Sequence, residues 1–80
     1  MHLIPLFDVA DGSSFRQANP HLFGSETSLR WWWRTHRREC VERGAALFHA
    51  GRWCAVEPAM SEVVLDIARR NAQRALEVAA

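Results

Sequence analysis

Gly24-Ser25-Glu26-Thr27-Ser28-Leu29-Arg30-Trp31-Trp32-Trp33-Arg34-Thr35-His36-Arg37-Arg38 is the stretch on which the fold of this chain turns. Ser25 or Thr27 is an N-cap, because a short side-chain oxygen there accepts from a free helix amide, and Glu26 suits the positive helix end. The helix runs over residues 26–43 and stops at Gly44, since glycine readily takes the left-handed conformation that ends a helix. A break near His36 stays open. At about 100° per residue, Leu29, Trp33, His36 and Cys40 fall in a narrow arc flanked by Trp32, which is the core face. Thr27, Arg30, Trp31, Arg34, Arg37 and Arg38 lie on the other side. Three consecutive tryptophans cannot all face inward, so Trp31 is expected among the arginines at the surface.

Upstream, residues 1–12 form an N-terminal arm or edge strand: residues 1–9 are apolar and interrupted by Pro5, which has no amide to donate and so fits only an edge strand or an extended arm. Asp11-Gly12-Ser13-Ser14 is a turn, with Ser13 or Ser14 capping a short helix over residues 15–19. Pro20 ends that helix by pushing its predecessor out of the α region. Residues 13–44 thus make the helical part. Downstream, residues 45–57 read as a hairpin around Gly51-Arg52, a glycine-first pair suited to a type II′ turn. That turn would set His49 opposite Cys54, Phe48 opposite Ala55 and Leu47 opposite Val56, with Arg52 at the tip.

Pro58 then opens a last helix, in the 58–78 segment. Its stripe of Met60, Val63, Val64, Ile67, Asn71, Ala75 and Leu76 opposes a charged face with Asp66 and Arg70 as a favourable i,i+4 pair. The expected fold class is therefore mainly α with a small β-hairpin (α+β). Trp32, Trp33, Leu29, Phe15, Phe23, Leu47, Val56, Val63, Val64 and Ile67 are its expected core.

The chain has 80 residues, 49% hydrophobic and 24% charged, which excludes a disordered chain and leaves room for one domain over residues 1–80. A chain of this size buries only about 60–65% of its unfolded surface, so a large catalytic cleft is hard to build. A binding module is favoured over an enzyme. No apolar run approaches the roughly 20 residues of a membrane span, and no export signal is visible, so a cytoplasmic protein with two reduced cysteines is expected. The net charge of +1 conceals an uneven distribution: residues 30–52 hold six arginines against two glutamates. All ten basic residues are arginine, whose fork suits phosphate and guanine.

His36, Cys40, His49 and Cys54 would supply two His and two Cys to a tetrahedral zinc ion, but a close Cys-x2-Cys pair is missing, and a buried histidine beside a buried thiol is the commoner arrangement. Neither metal nor cofactor is expected. The serines sit at caps, and Glu39 and Glu42 sit on an exposed helix face, so no catalytic constellation forms.

A short helix, a turn, an arginine-bearing second helix and a hairpin follow one another in the order of a winged helix-turn-helix. The chain resembles the small excisionase and MerR-like winged helix-turn-helix proteins of phages and mobile elements. The likeness is carried by Leu22-Phe23-Gly24-Ser25-Glu26-Thr27-Ser28-Leu29-Arg30-Trp31-Trp32, Gly44-Ala45-Ala46-Leu47, and Ala50-Gly51-Arg52-Trp53 leading to Glu57-Pro58. Arg16, Gln17 and Asn19 depart from that class, which carries an Ala/Leu pattern in the first helix. The resemblance implies sequence-selective binding of double-stranded DNA by a small transcription regulator or an excisionase-like accessory factor. Thr27, Arg30, Trp31 and Arg34 would lie on the reading helix and Arg52 on the wing. From their place on the same basic face, Arg37 and Arg38 are further expected DNA contacts. A homodimer or cooperative oligomer through the C-terminal helix would supply the affinity that one small domain lacks. The alternative is a protein-interaction module that presents an exposed Trp/Arg patch to a partner, since both residue types are enriched at interface hot spots.

Overall fold

A computed structural model describes residues 1–79; Ala80, the last residue of the 1–80 domain, lies outside them. Strand β1 (His2–Pro5) leads to helix α1 (Phe15–Ala18) and helix α2 (Glu26–Glu42). A hairpin of β2 (Ala46–His49) and β3 (Arg52–Glu57) follows, and helix α3 (Ala59–Ala79) closes the chain. The fold is mixed α+β, with a three-stranded antiparallel sheet in the order β1-β3-β2. Pro5 ends an edge strand, where a missing amide breaks no ladder bond. No helix among the described residues is long and apolar enough to cross a membrane.

Side chains rather than length hold the single turn of α1 in place. Ser14 Oγ accepts the Gln17 amide at 3.1 Å, and Gln17 reaches back to accept the Ser14 amide and the Val9 amide. Asn19 Nδ2 donates to the Phe15 carbonyl at 2.8 Å. Arg16 grips Asp8 through two bonds of 2.7 and 2.8 Å, holding that carboxyl below its usual range. The polar residues of α1 therefore tie the β1–α1 loop to the body. α2 is capped by Ser25, whose Oγ accepts the Ser28 amide, and runs unbroken past His36. It stops before Gly44, whose φ is +72°. Glu57 performs the same service for α3 by accepting both the amide and the hydroxyl of Ser61.

The hairpin differs from the sequence expectation. Its two turn residues are Ala50 and Gly51, both at positive φ (52° and 78°), as a type I′ turn requires. Phe48 pairs with Trp53, Leu47 with Cys54 and His49 with Arg52, a shift of two residues in pairing. The observed register sets the small buried residues Ala46 and Ala55 side by side beneath the helices and an edge-on Phe48–Trp53 contact at the rim. Arg52 is consequently the first residue of β3, and the turn itself carries no charge.

Leu6, Phe15, Leu29, Met60 and Ile67 are fully buried and form the core with Phe23, Trp33, Val63 and Val64. Leu47 is not part of it: it sits across from Cys54 on the face of the sheet that also carries Leu3 and Val56, and is 39% exposed. Trp32 is half-buried against Phe23 and His36. The expected Asp66–Arg70 pair gives way to a network between helices. Asp66 binds Arg43 at 2.6 Å and Arg69 at 3.2 Å, while Arg70 reaches Glu39 at 2.6 Å. These bonds pin α2 to α3, because the carboxylates of each helix find better partners across the seam than along it.

Candidate functional site

The exposed face of α2 gathers six of the seven residues singled out from the sequence. Thr27, Arg30, Trp31, Arg34, Arg37 and Arg38 are all exposed, and Trp31 is 65% so. The helical repeat places them in one continuous strip, with Leu29, Trp33 and Cys40 buried on the other side. Burial of that apolar arc against Phe7, Phe23 and Trp53 fixes which way the arginines point.

Toward the N-terminus of the strip, Thr27, Arg30, Trp31 and Arg34 line a shallow depression of about 190 Å³. The Arg34 guanidinium lies 5.0 Å from the centroid of the exposed Trp31 ring, within cation–π range. Arg30 is more constrained. It sits 4.1 Å over the Phe7 ring and 3.4 Å from the Glu26 carboxylate. Toward the C-terminus, Arg37, Arg38, Val41 and Glu42 form a groove of about 350 Å³ with Trp53 of the hairpin. Phe48, 62% exposed, stands edge-on to Trp53 at 5.4 Å.

Arg52 lies apart from the strip but not far from its first turns. It shares a cleft of about 220 Å³ with Arg30, Phe7 and Trp53. On its other side it borders the β1–α1 loop near Asp11, whose carboxyl is held low mainly by bonds from Ser13. Among the described residues, Arg34, Arg37, Arg38 and Arg52 have no carboxylate partner, whereas Arg16, Arg43, Arg69 and Arg70 all do. The unpaired guanidiniums keep all their donors for a ligand.

The two histidines and two cysteines weighed as zinc ligands are not gathered. His49 faces Arg52 instead of Cys54, and among the described residues no group of three or more His, Cys, Asp or Glu is placed to hold a metal. His36 tilts against Trp32 at 4.7 Å, and burial lowers its pKa. Cys40 is fully buried, with its thiol pushed up to about 11 by desolvation, so it is protonated and unreactive.

Val41, Phe48 and Trp53 join the site without having been singled out beforehand. Val41 was within reach of sequence reasoning, since it follows Arg37 by four residues on the same arc. Phe48 and Trp53 were not, because their meeting depends on the hairpin register. Compared with known proteins, the chain matches no family, no curated protein and no solved structure.

Proposed function

We propose that the chain binds double-stranded DNA selectively, with α2 as reading helix and the β2–β3 hairpin as a wing beside it. The observation that carries this reading is the single exposed strip of unpaired arginines, Arg34, Arg37 and Arg38, with Trp31 and Thr27 interleaved. Guanidiniums spaced along one helix face neutralise phosphates and supply most of the affinity. Thr27, Arg30 and Arg34, nearest the helix N-terminus, read base edges, as in helix-turn-helix docking. In this winged helix-turn-helix reading, α1 is reduced to one turn and Arg52 reaches a phosphate from beside the turn of the wing. A small transcription regulator or an excisionase-like accessory factor fits such a domain.

One observation favours a second reading. The groove between Arg37, Arg38, Val41, Glu42 and Trp53 offers an aromatic and an aliphatic side chain that would also seat a side chain of a partner protein. Salt separates the two. Tryptophan fluorescence titrated with random-sequence duplex DNA at low and high salt should give micromolar binding that falls steeply as salt rises. A folded protein that fails to bind DNA even at low salt would eliminate DNA as the ligand and leave the partner-protein reading.

A further inference from the structure

We infer that Arg30 reads a guanine and that Glu26 and Phe7 are its positioning residues. The inference rests on the DNA reading above and deepens it, because it names the base that Arg30 selects and the side chains that aim it. Arg30 is held on two sides. Its guanidinium lies over the Phe7 ring, 4.1 Å from the centroid, and its Nη2 is 3.4 Å from Glu26 Oε1. The side chain is still 56% exposed, so the rest of its donor fork is open to a ligand. Arg34, by contrast, has only the exposed Trp31 ring beside it, and Arg37 and Arg38 have no ion pair among the described residues.

The two holders are themselves held. Leu6 is fully buried and donates its amide to the Trp53 carbonyl at 3.0 Å, which fixes the chain just before Phe7. Phe7 then stands edge-on to the buried Trp33, with ring centroids 6.3 Å apart. Glu26 Oε1, the oxygen that faces Arg30, also accepts the Asp8 amide at 3.1 Å. The Asp8 carboxylate is clamped by Arg16, whose Nη1 donates to the Gly24 carbonyl at 3.3 Å, directly before the Ser25 cap. The β1–α1 loop thereby reaches the first turn of α2 and sets the direction of one arginine on it.

That arrangement has a chemical use. A guanidinium pairs through its fork with O6 and N7 of guanine in the major groove, and no other base presents those two acceptors. An arginine already held by a ring and a carboxylate loses less side-chain freedom on binding than a free one. The Glu26 carboxylate, meanwhile, repels the phosphates of any duplex that lies along α2. Its effect on general affinity is therefore unfavourable and its effect on base choice favourable. Those opposite signs separate positioning from structural support, which would lower both.

Selection of duplexes from a random-sequence pool, with the wild-type chain and then with variants, tests the assignment. The wild type should enrich a site with a guanine whose preference Arg30→Ala abolishes. Glu26→Gln keeps an acceptor for the Asp8 amide, and Phe7→Leu keeps an apolar side chain against Trp33 without the ring face. Each should lower the preference at that same base pair by about fivefold or more and leave the other positions unchanged. Phe7→Tyr, which keeps a ring, should retain the preference, and Glu26→Gln should bind random-sequence duplex more tightly than the wild type. Replacing that guanine by 7-deazaguanine, which lacks N7, should weaken the wild type and leave Arg30→Ala unaffected. A wild-type chain that enriches no sequence would overturn the DNA reading itself, and this inference with it. An enriched site to which Arg30→Ala is indifferent, or at which Arg30 selects another base, would overturn the assignment of Arg30 alone. Loss spread over the whole site in a Glu26 or Phe7 variant, or no loss at all, would overturn that residue's positioning role.

Discussion

The outer and inner faces of α2 are built from overlapping residue types and do opposite work. Trp31, Trp32 and Trp33 are consecutive, yet Trp31 is 65% exposed, Trp32 is half-buried and Trp33 is 6% exposed between Phe7 and Trp53. The same contrast runs through the arginines. Arg43, at the end of α2, is committed to Glu39 and Asp66, while Arg34, Arg37 and Arg38 keep their donors free. Composition alone cannot tell a seam arginine from a surface arginine. The difference lies in whether a carboxylate from a second helix comes within reach.

The largest test of this contrast is a pair of tryptophan truncations. Trp33→Ala should cost about 3–5 kcal/mol in denaturant unfolding, most of what a domain this small has, because it opens a cavity beneath the hairpin. Trp31→Ala should change stability by no more than about 0.5 kcal/mol while reducing the fluorescence response to DNA. Equal destabilisation by the two would mean that Trp31 is covered in solution.

Next come the arginines. Arg34→Ala should lower discrimination between DNA sites by about 1–3 kcal/mol as a lost base contact. If it instead weakens every sequence alike and flattens the log K–log salt slope by about 0.9, Arg34 is a phosphate contact. Arg43→Ala should leave both quantities unchanged and lower the melting temperature, since it unties α2 from α3. Loss of DNA affinity with Arg43→Ala would erase the proposed division of labour.

Smaller effects sharpen the comparison further. Ala50 holds a left-handed conformation that costs a residue with a Cβ about 1 kcal/mol, so Ala50→Asn, giving Asn before Gly51, should recover much of it as higher thermal stability. On the inner face, burial lowers the pKa of His36, opposed by Glu39 and reinforced by Arg70 and Arg74. The fold therefore prefers the neutral ring. Its stabilisation is complete above about pH 6.5, the unfolded value, and is lost as pH falls through the lower folded value. Thermal melts from pH 7.5 to 5 should show this slope, and His36→Phe, which keeps an aromatic ring beside Trp32, should flatten it. The carboxylates of Asp8, Glu39 and Asp66 are held low by their arginines, so their contributions fade only at more acidic pH.

Much of the fold was legible because it rests on local chemistry. Ser14 and Ser25 cap helices, Pro5 ends an edge strand, Gly44 follows a helix end, and the 3.6-residue repeat separates Leu29 and Trp33 from Arg34 and Arg37. The hairpin register was misread because Gly51 suits either turn position. The choice fell to contacts distant in sequence: Ala46 against Ala55 under the helices and Phe48 against Trp53. Leu47 was misplaced in the core because alternation gives its face but not its place in the sheet: Cys54 and Val56 on the same face of the central strand are buried, while Leu47 on the edge strand β2 is 39% exposed.

The sequence by itself determined the elements, their order and the arc of α2 that carries the free arginines, since each follows from caps, breakers and periodicity within a few residues. Only the tertiary structure decided which arginines are spent in ion pairs, where Arg52 stands, and that the core stripe of α3 ends at Ile67. Those outcomes depend on which carboxylate, strand or helix arrives from elsewhere in the chain, and a one-dimensional pattern does not contain that distance.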